Sequence, residues 1–475
     1  MNSTLIRKHG LLVVGTLLAA LSLVGCGTGG GSTTGSPTPK SSATTPVQVT
    51  VTDAPSDRIL SFEITINSIS LTAQDGSTVS VLSSPTEIEL THLVGTTQPL
   101  TLTSVPQGTY TSASFTVSDP SITFVNAMGV TVTRQMPDYD ATVTIPFSPA
   151  LTIGTQALSL NFDFNLATSV TLDPVAGTIT INPKVLLTHQ NISPSEGEKP
   201  DSGEVEDFAG TVTSTTATTL TVSGRMNSFS LTCTVDANTK FDGVSGLSGL
   251  QNGDIVQVNA KSQADGSLVC TDVEAVDDTP DGMEARGIVS NLSGSSPNLQ
   301  FDLIVEEANG DKASSSMAGS TITVTTSSET AFAINWNGVD PSALGFTPQF
   351  DSTTIFNGQN VAADTDSGLG SGTTTSSGTQ TTGTLAAKKV VLKAQPFSGT
   401  VSGLSTSGGL TTFTLTLASD SAMASLLGTS SIQVMLPATA ELDVQPVNGS
   451  VVRVRGFLFN DQGTFKLVAR RTVAP

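Results

Sequence analysis

From Val47 onward, apolar and polar residues alternate in short runs set apart by Gly, Pro, Asp and Ser. FEITINSISL, VSVLS, EIELTHLV, PLTLTSV, SASFTVS, ITFVN, VTVTRQM, ATVTIPF, ALSLNFDFNL and GTITINPKVLL follow one another before Asn191. A period of two puts every second side chain on one face of a strand, so each run predicts a half-buried strand. About ten such runs at this spacing predict an all-β sandwich. No segment keeps an amphipathic helical period for more than about two turns. In LTSVPQGTYTSASFTV, Leu102 to Val117, Pro106 and Gly108 stand just ahead of Tyr110. The glycine suits a turn, and the tyrosine is placed to cap the edge of the core with its hydroxyl on backbone.

That turn resembles the one in transthyretin-like and immunoglobulin-like sandwich modules. DAPSD (Asp53 to Asp57), VPQGTY, LNFDFNL and ITINPKVLL, taken in their order and spacing, resemble domain of unknown function family 4382, found in exported bacterial proteins. The resemblance covers Val47 to Leu187. It implies a transthyretin/immunoglobulin-like β-sandwich over residues 47–190 and an exported setting, and no activity, because the family's is unknown.

NISPSEGEKPDSGEVED is polar, acidic and proline-bearing, and predicts a linker over residues 191–206. Beyond it one order of landmarks recurs three times. Each unit opens on a turn into a strand: Phe208-Ala209-Gly210, Ala285-Arg286-Gly287 and Phe397-Ser398-Gly399. CTVDANTKF, TVTTSSETAF and VMLPATAEL follow, each a strand ending near a Thr. An Asn-Gly turn comes next, at Asn252-Gly253, Asn357-Gly358 and Asn448-Gly449, and the units close on LVCTDV, LAAKKV and LVARRT. Five or so short strands per unit suit a small closed barrel, because closure removes unpaired edges. The units resemble family 5666 of the domains of unknown function, a barrel module found beside lipoprotein signals. The expected repeats span 207–277, 284–395 and 396–475. The second departs from the pattern through an insertion around Asn335 to Phe350 and a low-complexity loop at 364–384.

The N-terminus changes the picture by adding a compartment. Arg7 and Lys8 precede an apolar run from Leu11 to Val24, too short for a stable membrane span and read as an export signal. Leu23-Val24-Gly25-Cys26 resembles the bacterial lipoprotein box, which implies cleavage after residue 25 and a lipid on Cys26 that anchors the chain to a membrane of the cell envelope, facing the periplasm or the exterior. The following Gly/Ser/Thr/Pro stretch, residues 26–46, carries no large apolar residue and predicts a disordered tether reaching on the order of 25 Å.

Composition then excludes several functions. A net charge of −20, from 40 acidic against 20 basic residues, repels nucleic acid. Beyond His9 in the leader there are two histidines, His92 and His189, without companion cysteines or HExxH spacing, so a zinc or triad site is not expected and both read as surface or strand-end residues. One Trp (Trp336) and two Tyr supply few platforms for sugar rings, which weighs against a glycosidase. Calcium is the more plausible ion, with Asp53, Asp57, Asp138 and Asp140 as candidates, then Asp277, Asp278 and Asp281, and Asp364 with Asp366. None completes a calcium loop, so no metal or other cofactor is expected: Asp53 reads as opening a turn and Asp57 as facing solvent. Cys233 and Cys270 both fall in the first repeat. They either bridge the barrel or stay unpaired, since Cys270 falls where the other repeats place Ala387 and Ala469 and a small residue suffices there. The expected role is a non-catalytic interaction or structural scaffold, not an enzyme, with an unknown protein or glycan partner. The alternative is a surface protein binding glycans or calcium, and an enzyme with a loop-borne site comes third.

Overall fold

The computed structural model describes residues 43–475, apart from residues 55, 94, 126–131, 174–177, 193–202, 225–228, 278–281, 311, 314–316, 337–338, 372–380 and 475. The predicted leader, the acylated Cys26 and most of the predicted tether lie outside the described residues.

The first domain is a two-sheet sandwich. Its strands are β1 (Thr44–Ala54), β2 (Ile59–Ala73), β3 (Thr78–Ser80), β4 (Thr86–Glu89), β5 (Gln98–Pro106), β6 (Gly108–Val125), β7 (Val132–Gln135), β8 (Asp140–Ile153), β9 (Leu158–Asn165), β10 (Val170–Asp173), β11 (Thr178–Ile181) and β12 (Val185–Asn191). One sheet runs β12-β9-β1-β5, with β1 parallel to β9. The other runs β3-β2-β6-β7, with β4 added to β2 and β8 to β6, and β10 pairs β11 apart from both. Period two decides which face is buried: Val47, Val49 and Val51 with Leu160, Phe162 and Phe164 meet Phe62, Ile64, Phe115 and Val117 across the core. Phe115 stacks on Phe162 at 5.5 Å. Tyr110 is buried and its hydroxyl donates to the Pro106 carbonyl at 2.7 Å, the capping geometry that its sequence context predicts.

Three barrels follow. The first holds β13 (Val205–Thr215), β14 (Thr219–Ser223), β15 (Ser230–Thr234), β16 (Lys240–Asp242), β17 (Ile255–Ser262) and β18 (Leu268–Asp277). The second holds β19 (Met283–Ser295), β20 (Asn298–Asn309), β21 (Thr321–Thr325), β22 (Ala331–Ile334), β23 (Asn360–Thr365), β24 (Thr381–Ala386) and β25 (Lys389–Leu392). The third holds β26 (Gln395–Ser407), β27 (Leu410–Thr416), β28 (Ser431–Leu436), β29 (Glu441–Leu442), β30 (Val451–Asp461) and β31 (Thr464–Val473). The first sheet runs β15-β14-β13-β17-β18-β16 and the third β28-β27-β26-β30-β31-β29, which is one topology twice. Each closes through a parallel contact, β15 on β18 and β28 on β31. In the second barrel the closing strand is split into β24 and β25, and β21 closes on β24.

The sequence landmarks acquire physical reasons here. Gly210, Gly287 and Gly399 lie opposite Val256, Val361 and Val452. A Cβ at any of the three would drive into a carbonyl oxygen of the neighbouring strand, that of Ser223, Ile304 or Thr416. The Asn-Gly glycines have φ of 101°, 91° and 85°, a region that L side chains avoid. Their amides donate to Val212, Val289 and Val401, each two residues beyond the strand glycine, at 2.8 to 2.9 Å. The Thr landmark is explained in two copies: the Thr239 and Thr330 hydroxyls donate to the equivalent Cys270 and Ala387 carbonyls, both at 2.7 Å.

Several expected boundaries shift. The first strand begins at Thr44, inside the stretch read as tether, because Thr45 to Thr50 are covered by β5 and β9. Asn191 ends β12, and Val205 and Glu206 open β13, so the predicted linker gives residues to domains at both ends. SASFTVS and ITFVN are one strand, β6, because Asp119 at φ 52° absorbs an irregularity that the sequence shows as an Asp-Pro break. Met283 already belongs to the second barrel and Gln395 to the third, and the loop predicted at 364–384 lends Asp364 and Thr365 to β23 and its last residues to β24.

Candidate functional site at the domain junction

The sandwich and barrels pack into one compact unit, Ala43–Pro475. Apolar clusters, hydrogen bonds and buried ion pairs join them. The bulge between Val205 and Phe208 holds Asp207 at φ 53°. Its carboxylate accepts from Arg470 Nη1 at 2.9 Å, Arg455 Nη2 at 3.3 Å and Gln257 Nε2 at 2.7 Å. Burial alone would raise its pKa, but the cations Arg470, Arg455, Arg286 and Lys393 outweigh burial and hold it far below the usual carboxylate range. Arg455 bears a desolvation cost that its acidic neighbours do not fully offset, and its pKa is pushed down to about 10.

The same arginines reach the sandwich. Arg455 Nη1 donates to the His92 carbonyl and Arg471 Nη1 to that of Gly95, both at 2.8 Å. Arg471 also meets Glu206 at 3.2 Å and Glu441 at 2.6 Å. His92 is buried, not a surface residue as expected, because the 3-10 turn Thr91–Leu93 points it back onto Glu89, with Nδ1 and Oε2 2.8 Å apart. Glu89 further accepts from the Phe62 amide at 2.8 Å and the Thr91 hydroxyl at 2.7 Å. Between the first and second barrels, Lys393 Nζ donates to Gln257 at 2.8 Å. Between the second and third, the Asn360 amide donates to Gln395 Oε1 at 2.6 Å and Gln395 Nε2 to the Gly358 carbonyl at 2.9 Å. Thr123 and Arg134 of the sandwich donate to the Gly319 and Ala318 carbonyls at 2.7 and 3.0 Å. The Asn335–Phe350 insertion is docking structure too: Trp336 packs on Phe457 and Phe459 of the third barrel at 5.4 and 5.9 Å.

The acidic candidates separate. Asp53 does not open a turn: it lies buried in β1 opposite Phe164 and accepts from the Leu166 amide at 3.2 Å. Burial, with the nearby Asp163 and Glu89 carboxyls, raises its pKa well above the usual range. Asp57 is half-buried, not solvent-facing, because its carbonyl accepts from Ala422 of the third barrel at 2.7 Å. Burial and the Asp420 carboxylate raise its pKa. Arg58 beside it pairs with Asp420. Asp57 and Arg58 thus contact the third barrel, while Asp53 serves the sandwich itself. Asp138 and Asp140 are exposed on the sandwich, Asp364 is buried in β23, and Asp366 pairs with Lys388 at 3.2 Å. Asp277 ends β18, while Asp278 and Asp281 lie outside the described residues. His189 is exposed on β12. Among the described residues no group of three His, Cys, Asp or Glu side chains is arranged to hold a metal ion. Cys233 and Cys270 are bonded, with Cα atoms 5.3 Å apart, inside the core of the first barrel.

Hydrophobic periodicity missed Asp207, Arg455, Arg470 and Arg471, since it treats charged positions on a strand as solvent-facing. A signal was present: the closing segments carry Asp272 in the first copy, Lys388 and Lys389 in the second, Arg470 and Arg471 in the third. Repeats alike in landmarks but opposed in charge are suited to bind one another.

Fold and junction together define an all-β, multidomain protein in which several buried ion pairs lie where domains meet. Residues 44–183 match the family described as Domain of unknown function (DUF4382), and residues 209–274 match Domain of unknown function (DUF5666). The segment matching DUF4382 thus coincides with the sandwich and the one matching DUF5666 with the first barrel, in that order, and two further barrels follow. No curated protein matches the chain.

Proposed function

We propose that the protein is a lipid-anchored component of the bacterial cell envelope acting as a non-catalytic interaction or structural scaffold. The observation that supports this reading most is where its buried charges go: Asp207, Arg455, Arg470 and Arg471 link sandwich to barrels and barrels to each other. A compact multidomain body carried on a lipid-anchored N-terminal segment would suit presentation of surfaces to a partner. Of the calcium candidates, Asp53 is enclosed in a strand, Asp57 is half-buried at the domain junction, and Asp138 and Asp140 are exposed.

The test is Cys26→Ala, followed by fractionation and labelling with a fatty-acid analogue. Label on the parent chain and its loss with release to the soluble fraction in the variant is the expected result. A variant that stays membrane-bound and a parent that takes no label would overturn the anchor. Protease shaving of intact cells, blotted for the third barrel, then assigns the face.

A further inference from the structure

Where the sandwich meets the second and third barrels, the junction is not filled. A cavity of about 60 Å³ lies there, walled by Ile59, Leu60, Ile288, Phe397, Leu417 and Met423. Two acidic residues belong to the same lining, Asp57 from the sandwich and Glu306 from the second barrel, together with Thr91 and Ser421. Glu306 is buried; its Oε2 accepts from Asn360 Nδ2 at 2.7 Å and pairs with Arg286 Nε at 3.8 Å, while the Arg286 guanidinium also donates to the Ala394 carbonyl and Asn360 Oδ1 at 3.2 Å. Near Asp57 the Asp420 carboxylate repels, and Arg453 offsets it only in part. Burial raises the pKa of both acidic residues of the lining, with Arg286 beside Glu306 and Arg453 near Asp57 opposing it.

We propose that this cavity is a binding site for a primary ammonium on a short alkyl stem, the chemistry shared by a small free alkylamine and a lysine side chain. An ammonium carries three donors and no acceptor, which fits carboxylate and hydroxyl acceptors, and its stem replaces water against the aliphatic walls. The volume admits a few heavy atoms, not a ring system. The site depends on neither the lipid anchor nor the scaffold reading.

The test titrates n-butylammonium chloride, N-acetyl-lysine amide and n-butanol into the purified protein, with sodium chloride matching the ionic strength, by calorimetry and by shift of melting temperature. Saturable binding of at least one ammonium compound, about tenfold or more tighter than the alcohol, is expected. Binding of butylammonium alone assigns the free amine as source, and of the lysine amide alone a polypeptide. Met423→Trp, which fills the cavity while leaving both carboxyls in place, should abolish binding, and Glu306→Gln should weaken it about tenfold. Should Glu306→Gln fail to fold, Met423→Trp still decides. Equal binding of butanol, no binding above the salt control, or binding that survives Met423→Trp would overturn the proposal.

Discussion

Asp207 joins the first barrel to the third through a single buried carboxylate. It serves two guanidinium groups from another barrel while buried, and removing one partner of a buried ion pair leaves the others charged and desolvated. Asp207→Ala is expected to cost about 3–5 kcal/mol in urea unfolding, and combining it with Arg470→Met should recover part of that, because the stranded charge is gone. A loss below about 1 kcal/mol would mean that Arg455 and Arg470 find other partners and that the hub is not the joint described. Legibility differs by residue for a physical reason. Tyr110 could be read because its partner, Pro106, is four residues away. Asp207 and Arg470 are 263 residues apart, and no local pattern encodes that pair.

The repeated barrel shows which elements a sequence announces. Glycine at a strand crossing and Asn-Gly at a turn are required by steric exclusion or positive φ, so they recur in all three copies and were legible. Packing positions are less constrained. By the register of the closing strands, Cys233 corresponds to Val324 and Val434, and Cys270 to Ala387 and Ala469. A valine and an alanine therefore fill the same space twice without a bond. The double substitution Cys233→Val with Cys270→Ala should give a folded first barrel with an unchanged far-UV spectrum, less stable than the oxidised parent by about 4 kcal/mol in the chain-entropy model for a loop of this length. Indistinguishable stability of parent and variant under non-reducing conditions would show that the bond does not constrain the unfolded chain. The second barrel's insertion looked like a departure from pattern because its apolar residues, Trp336 and Phe346, pack on the next barrel instead of completing their own alternation.

At the scale of the molecule, the charged joints make pH the variable that tests whether four domains behave as one. Asp207 has a depressed pKa, so its stabilisation is present above the ordinary carboxylate range of about 4 and is lost as pH falls through its lowered value. Asp53, Glu284 and Glu306 have raised values, so their charged forms cost stability near neutrality and that cost is relieved as they take up protons on acidification. The two effects have opposite sign and act in successive windows. Stability should hold or rise from neutral to mildly acidic pH and then fall as pH drops below about 4, where the unfolded chain takes up the proton that folded Asp207 resists, until Asp207 itself is protonated at its lowered value and Arg455 and Arg470 lose their counter-ion. Trp336, the single tryptophan, reports on the interface between second and third barrels through Phe457 and Phe459, whereas far-UV circular dichroism reports on every strand. If the hub makes the body cooperative, the acid transitions seen by the two probes coincide in the parent chain and separate in Asp207→Ala, where the interface between the barrels opens before the sheets melt. Separate transitions in the parent would instead make each domain an independent unit, and the buried arginines would then stabilise local packing without coupling the domains.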